Sequence, residues 1–66
     1  MISSENLHLY LSEQDSASLA MNEERRPGIT IIIAEIMYQN NTTYLNALPL
    51  AKAVWHNRNP NAHVLH

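Results

Sequence analysis

Cysteine is absent from this 66-residue sequence, and glycine occurs only once. Without cysteine the chain can form neither a disulfide nor a thiolate metal site, and one glycine cannot build a glycine-rich phosphate loop. A chain of this length buries only about 60% of the surface that its unfolded form exposes, and a single small core rarely supplies more than about 3–5 kcal/mol. These absences favour stabilisation by a partner, most simply a second copy of the chain.

Long apolar runs are missing as well. Residues 1–24 have neither the basic start nor the apolar core of a secretory signal. No apolar run approaches the roughly 20 residues that are needed to cross a bilayer. We therefore expect a cytoplasmic protein that does not contact a membrane.

Charge is scarce and unevenly distributed. Residues 1–24 contain five acids and no base, whereas residues 25–66 contain four bases and one acid, so the two parts carry −5 and +3 within a net charge of −2. The acidic part can lie against the basic part, in the same chain or in a partner. Solvation of two separate surfaces fits the same pattern.

The most apolar stretch of the sequence spans residues 29–37. A strand over 29–33 is compatible with the β-branched residues there, but the apolar residues do not alternate, so we predict a helix that ends near Gln39. Ile31 lies outside the apolar stripe of this helix. The other apolar residues recur at helical spacing and form what we call the isoleucine stripe: Ile29, Ile32, Ile33, Ile36 and Met37.

Two shorter segments precede the isoleucine stripe. Residues 7–11 fit helical spacing and strand alternation almost equally well, and a cap at one of the preceding serines shifts the prediction slightly to helix. A second helix begins between Ser12 and Ser16 and reaches about Arg25. Its narrow apolar face predicts that it is short.

Pro49 decides where the last helix begins. If Thr43 is the N-cap, Pro49 lies in the helix interior and removes a hydrogen bond, which costs about 3 kcal/mol. If Asn46 is the N-cap, Pro49 lies in the first turn, where no donor is lost. We prefer the second arrangement and predict a helix from Ala47 to Asn57, followed by a flexible tail over residues 59–66.

These elements predict an all-α fold with three or four short helices in one domain over residues 1–66. Its centre is a helical hairpin of residues 29–39 and 47–57, joined by a turn at residues 40–43. One chain offers few other apolar residues to cover the isoleucine stripe. We therefore predict a homodimer whose interface is that stripe: Ile29, Ile32, Ile33, Ile36 and Met37.

The only tryptophan, Trp55, is suited both to a core and to a binding hot spot. With so small a core, it either covers the isoleucine stripe or anchors a partner. We therefore treat four residues of the last helix and its start as candidate partner-binding residues: Trp55, Val54, Leu50 and Tyr44.

Catalytic and metal-binding chemistry is sparsely represented. His56, His63 and His66 form the only metal-like group, but zinc requires three or four well-placed ligands, and two of these histidines belong to the predicted tail. The serines lack a strained nucleophile turn, and no acids are paired as general acid–base catalysis requires. We expect no cofactor, no metal and no enzymatic activity.

The predicted function is a non-enzymatic protein–protein interaction module: a regulator, adaptor or inhibitor that acts as a homodimer and can modulate a transcription factor. The alternative is a small DNA-binding repressor, either helix-turn-helix or ribbon-helix-helix with residues 29–33 as the ribbon. Phosphate contacts rest on lysine and arginine. The chain has four, with Arg25 and Arg26 as the only cluster, and the ribbon would present only Thr30 as a polar residue.

Overall fold

The computed structural model describes residues 5–60, which form a short 3₁₀ helix and three α-helices. The 3₁₀ helix spans Leu7–Tyr10, α1 spans Glu13–Arg25, α2 spans Ile29–Asn40 and α3 spans Tyr44–Arg58. No strand occurs within residues 5–60. The predicted all-α class is therefore confirmed: residues 7–10 form the 3₁₀ helix, with Leu11 as its extended C-cap, and residues 29–33 are α-helical.

Helix α1 begins where a serine can satisfy its free backbone donors. The Ser12 hydroxyl accepts a hydrogen bond from the Asp15 N–H at 3.1 Å, as an N-cap residue does. The helix then runs for 13 residues to Arg25, with only Leu19 buried. The Ser12 cap and the end at Arg25 agree with the prediction, although at 13 residues α1 is not as short as its narrow apolar face suggested.

The turn between α1 and α2 depends on the single glycine. Gly28 has φ +96°, a left-handed conformation that side chains with a Cβ disfavour. The free N–H groups at the start of α2 are capped from the preceding helix, because the Glu23 carboxylate accepts hydrogen bonds from the N–H groups of Gly28 at 2.8 Å and Thr30 at 3.1 Å. Glu23 thereby fixes the direction in which α2 leaves the turn.

The predicted turn at residues 40–43 separates α2 from α3. Asn41 adopts φ +49°, a left-handed conformation that asparagine tolerates. Thr42 donates its backbone N–H to the Met37 carbonyl at 3.1 Å, and the Thr43 hydroxyl accepts from the Asn46 N–H at 3.2 Å. Thr43, not Asn46, is therefore the N-cap of α3.

The predicted start of the last helix at Ala47 is wrong, because α3 begins at Tyr44 and contains Pro49 in its interior. Pro49 has no N–H to donate to the Leu45 carbonyl. The loss is tolerated because Leu45 and Pro49 both lie on the exposed side of α3, where solvent reaches the helix. In return, the additional first turn buries Tyr44.

The isoleucine stripe lies at the centre of the core. Helix α2 packs mainly on α3 and less extensively on α1. Ile33 is fully buried, with 0% of its surface exposed, whereas Ile31 on the same helix is 56% exposed. Eleven buried side chains form the core: Leu7, Leu19, Ile29, Ile32, Ile33, Ala34, Met37, Tyr44, Ala47, Ala51 and Trp55.

One chain covers its own isoleucine stripe, so the premise of the predicted dimer interface is wrong. Ile29, Ile32, Ile33 and Met37 are buried within a single copy, and Ile36 is half-buried against the same core. Ala47, Ala51 and Trp55 of α3 and Leu7 of the 3₁₀ helix complete this core. These isoleucines therefore need no second copy to be covered, and dimerisation itself stays a prediction.

The end of α3 is closed by Asn59. Its backbone N–H and its side-chain amide both donate to the Trp55 carbonyl, at 2.9 Å and 2.8 Å. The predicted flexible tail included Asn59 and continued to residue 66. Residues 61–66, with His63 and His66, lie outside the residues that the structure describes.

Candidate functional site

Helix α3 presents an apolar face on the side opposite the core. Leu45 is 67% exposed and Leu50 is 52% exposed, and Pro49 and Ala53 are exposed as well. Leu45, Pro49 and Ala53 recur every four residues, so they form one line along the helix, with Leu50 beside it. We call these four residues the α3 outer face.

The α3 outer face carries no charge. The other exposed side chains of α3 before its last residue are Asn46 and Asn57. Neither base of α3 lies on this face, since Lys52 is half-buried beside it and Arg58, the last residue, shares the side of buried Trp55. Depletion of charged residues at the centre, with polar residues at the rim, is typical of protein–protein interfaces.

Helix α1 has an outer face of a different kind. Ala17, Ala20 and Met21 are exposed on it, and they are flanked along the same side by Glu13 and Glu24. We call these five residues the α1 outer face. It is narrow, lined by small side chains and mixed in charge, because exposed Arg25 lies one turn after Met21 on the same side. The α3 outer face, in contrast, is uncharged and lined by larger side chains.

The four predicted partner-binding residues divide into two groups. Leu50 is exposed and Val54 is half-buried, so both are accessible to a partner. Tyr44 and Trp55 are buried in the core. Sequence reasoning also missed Leu45, Pro49 and Ala53, because an N-cap at Asn46 leaves Leu45 outside the helix. The four-residue spacing was the signal that would have found them.

Tyr44 is buried as a link between α1 and α3 rather than as a binding residue. Its hydroxyl lies 2.8 Å from the Ser18 hydroxyl and 3.5 Å from the Asn22 side-chain amide. That amide also donates to the Ser18 carbonyl at 2.9 Å. A buried hydroxyl without a partner would be costly, so this network holds α1 at the start of α3.

Trp55 has the corresponding position near the other end of α3. Its indole N–H donates to the Pro27 carbonyl at 2.9 Å, and its ring meets that of His56 edge-on, with centroids 5.4 Å apart. Trp55 thereby ties α3 to the turn between α1 and α2. The two aromatic contacts together fix the position of α3 and leave its outer face free.

The two predicted phosphate contacts are not equivalent. Arg25 is exposed. Arg26 is half-buried, and its guanidinium donates to the Asn22 side-chain oxygen at 3.4 Å. Arg25 is therefore in contact with solvent, whereas Arg26 belongs to the hydrogen-bond network between α1 and α3. The ribbon alternative is wrong, because residues 29–33 belong to α2.

The ionisation of Glu23 is coupled to the start of α2. Partial burial acts to raise the pKa of this carboxyl, but hydrogen bonds from the N–H of Gly28 and from the side chain and N–H of Thr30 outweigh it and lower the pKa below its usual 4.5. The charged carboxylate is thus the capping form. This interaction connects two helices that sequence patterns treat separately.

Other kinds of site find little support among residues 5–60. Within that range no group of three histidine, cysteine, aspartate or glutamate side chains is placed to hold a metal ion. The helices described here also lack the combination of length and apolarity that crosses a membrane. Of the three predicted metal-like histidines, only His56 lies within the described range.

Comparisons of the chain with protein-family models, with curated proteins and with solved structures find no match. Its function is therefore inferred from its own surface. Its two most distinct exposed surfaces are the uncharged α3 outer face and the α1 outer face with its small side chains. Both lie on helices that the core holds in place.

Proposed function

We propose that this protein is a non-enzymatic interaction module whose α3 outer face binds another protein chain. The observation that supports the proposal is the exposure of Leu45, Pro49, Leu50 and Ala53 on one uncharged side of α3. The chain covers its isoleucine stripe without these four residues, so this apolar surface remains exposed after folding. A module of this kind acts as a regulator, adaptor or inhibitor.

The size of the face sets how much binding it can supply. Burying a leucine completely contributes about 1.5–3 kcal/mol, so covering the exposed parts of Leu45 and Leu50 contributes about 2–4 kcal/mol before the costs of association. A standard interface covers about 800 Å² on each partner, roughly a sixth of the 4732 Å² surface. A partner must therefore extend along the whole of α3, which is about 22 Å long.

The rigidity of α3 supports its use in binding. The Thr43 cap, buried Tyr44 and the Trp55 hydrogen bond hold the helix at both ends. A surface that is already ordered loses less conformational entropy when a partner binds. The α3 outer face is in this sense prepared for binding, unlike a mobile loop.

The same surface gives less support to DNA recognition. A recognition helix in a helix-turn-helix reads base edges with polar side chains near its N-terminus. Of the exposed residues near the start of α3, Leu45, Asn46 and Pro49, only Asn46 is polar. Fluorescence polarisation with nonspecific DNA at low salt separates the two functions. An interaction module gives no salt-dependent binding, and tight binding that weakens with salt would favour the repressor.

The proposal is tested by a photo-crosslinking side chain introduced in place of Leu50 and expressed in the source cell. The matched control carries the same group in place of Gln39, which is exposed at the end of α2. We expect a discrete crosslinked species from Leu50, lost when Leu45→Asp is added, and none from Gln39. Equal labelling from both positions, or none from either, would contradict the proposal.

A further inference from the structure

We propose that the α3 outer face binds an acidic amphipathic helix of a partner, whose carboxylates face a groove between α1 and α3. The inference rests on the proposed function and names the chemistry of the partner. Three of the four bases of the chain border this groove, Arg25, Arg26 and Lys52, and we call it the basic groove. Within residues 5–60 none of the three forms an ion pair.

The groove exists because α1 and α3 run side by side in the same direction. Near one end the Ser18 hydroxyl lies 2.8 Å from the Tyr44 hydroxyl, and near the other end the Trp55 indole N–H donates to the Pro27 carbonyl. Both helices pack more extensively on α2 than on each other. A groove therefore remains between them on the side away from α2.

Both arginines lie on the edge of α1 that borders α3. Ser18, Asn22 and Arg25 recur at helical spacing, and the first two meet the Tyr44 hydroxyl across the groove. Exposed Arg25 continues this line towards the end of α1. Arg26 reaches the same edge by folding back, because its guanidinium donates to the Asn22 side-chain oxygen at 3.4 Å.

Lys52 lies on the edge of α3 that borders α1. Tyr44, Leu48 and Lys52 recur every four residues along α3. Tyr44 reaches α1 through its hydroxyl, and Leu48 packs against the core. Each of the three directly precedes a residue of the α3 outer face. The basic groove is therefore next to that face, on its α1 side.

The acids of α1 and α3 lie elsewhere. Helix α3 contains no acid. On α1, Glu23 is turned towards α2, whose first N–H groups it caps. Glu13 and Glu24 are eleven residues apart, which is about three turns, so they share a line of their own beside that of Arg25. Asp15 lies in the first turn, about 15 Å from Arg25 along the helix.

Arg26 carries a charge that the described residues leave without a counter-charge. It is half-buried, and its Nε atom is shielded from solvent and has no hydrogen-bond partner. A guanidinium has five N–H donors, of which one bonds to Asn22 within residues 5–60. Burying a charge is costly unless the charge is paired. A carboxylate brought to the groove supplies that pairing.

The two margins of the α3 outer face determine how the partner is oriented. The margin towards α1 is basic, whereas the margin beside Leu50 carries the uncharged Asn46 and Asn57. An amphipathic helix therefore fits with its apolar stripe on α3 and its carboxylates on the flank above Arg25 and Lys52. A nucleic acid would bring phosphates to the bases but leave the α3 outer face without an apolar contact.

The test uses two synthetic helical peptides of 15 residues, the length of α3. The first has a leucine stripe and glutamates along one flank, and the second has lysine in place of each glutamate. Fluorescence anisotropy at low salt should show the full chain binding the glutamate peptide at least tenfold more tightly. The net charge of the chain is −2, so unspecific attraction would favour the lysine peptide. Equal affinities, or a glutamate peptide that does not bind, would overturn the inference.

Charge reversal locates the contact. Arg25→Glu should weaken binding of the glutamate peptide about tenfold, because an attraction becomes a repulsion. The matched control is Arg58→Glu, which makes the same charge change at an exposed arginine on the side of Trp55, and it should leave the affinity unchanged. Equal losses from both variants would contradict the inference. Lys52→Glu supplies a second readout if circular dichroism shows Arg25→Glu to be poorly folded.

The inference and the proposed function can fail separately. A discrete crosslink from Leu50 together with no preference for the glutamate peptide leaves the proposed function standing and overturns the acidic partner. Labelled duplex DNA serves as the probe for phosphate in the same assay. Tight binding of that DNA that Arg25→Glu weakens and Arg58→Glu does not would assign the basic groove to nucleic acid and overturn the inference.

Discussion

The isoleucine stripe of α2 and the α3 outer face are both apolar, but one lies in the core and the other in solvent. The difference arises on α3, where Ala47, Ala51 and Trp55 face inwards and cover the stripe, while Leu45 and Leu50 face outwards. Two alanines bring the helices close together, so few apolar residues suffice to close the core. The number of apolar residues thus matters less than the side of the helix on which they lie.

The largest expected effect comes from a charge in the isoleucine stripe. Ile33→Asp places a carboxylate without a partner in a fully buried position, which should destabilise the fold by several kcal/mol and unfold so small a domain. Thermal melting followed by circular dichroism measures the loss. The matched control is Ile31→Asp, because Ile31 is the same residue type on the same helix but is exposed.

Ile31→Asp should leave the melting temperature almost unchanged, since surface substitutions usually alter stability by less than about 0.5 kcal/mol. A similar loss of stability from both variants would show that the two sides of α2 do not differ in burial. A large loss of stability from Ile31→Asp alone would mean that Ile31, and not Ile33, faces the core.

The next effect concerns Pro49, and its direction is opposite. Pro49→Ala restores an N–H that can bond to the Leu45 carbonyl and should stabilise the protein by about 2 kcal/mol, after allowance for the greater freedom of the unfolded chain. Urea unfolding measures the change. Leu50→Ala on the same face is the control and should change stability little.

A gain from Pro49→Ala would mean that the α3 outer face retains a residue that destabilises the fold. Residues of this kind are found where function rather than stability sets the sequence. If Pro49→Ala is neutral or destabilising, the start of α3 differs from the cap at Thr43, and the α3 outer face loses its line of exposed residues.

A smaller effect should follow from the cap between α1 and α2. Glu23→Gln removes the carboxylate that accepts from Gly28 and Thr30, which should cost about 1 kcal/mol at neutral pH. Glu24→Gln is the control, because Glu24 is the adjacent exposed acid. Urea unfolding at pH 7 compares both variants with the natural chain.

The pH dependence of this cap has a defined sign. Folding lowers the pKa of Glu23 below its usual 4.5, so the folded state favours the charged form. The contribution to stability is therefore complete above the unfolded pKa and is lost as the pH falls through the folded pKa. The difference in unfolding free energy between the natural chain and Glu23→Gln should disappear in acid. If the difference persists there, the effect of the substitution does not come from the loss of the carboxylate charge.

Much of the fold could be predicted from local patterns. The isoleucine stripe showed its helical spacing directly, Ser12 had the chemistry of a cap, and Asn40–Thr43 formed the turn. What failed depended on contacts between distant residues. The capping role of Glu23 appears only when the turn brings Gly28 and Thr30 beside it, and sequence position alone placed that acid at the unfavourable end of α1.

The candidate site was harder to predict for a related reason. Penalising an interior proline moved the start of α3 to Ala47, which removed Leu45 from the helix and concealed the α3 outer face. Tyr44 and Trp55 were equally suited to a core and to a hot spot by type. Only their hydrogen bonds to Ser18 and Pro27 assign them to the core.

The smallest effect tests whether Tyr44 acts as a link between helices or as surface. Tyr44→Phe removes the hydroxyl that lies 2.8 Å from Ser18 and keeps the ring in the core, so it should destabilise the protein by about 1 kcal/mol. Tyr38→Phe removes an exposed hydroxyl from α2 and should have no measurable effect on urea unfolding. Equal values for the two variants would place Tyr44 in solvent, and α3 would then lose its attachment to α1 at the end that carries Leu45.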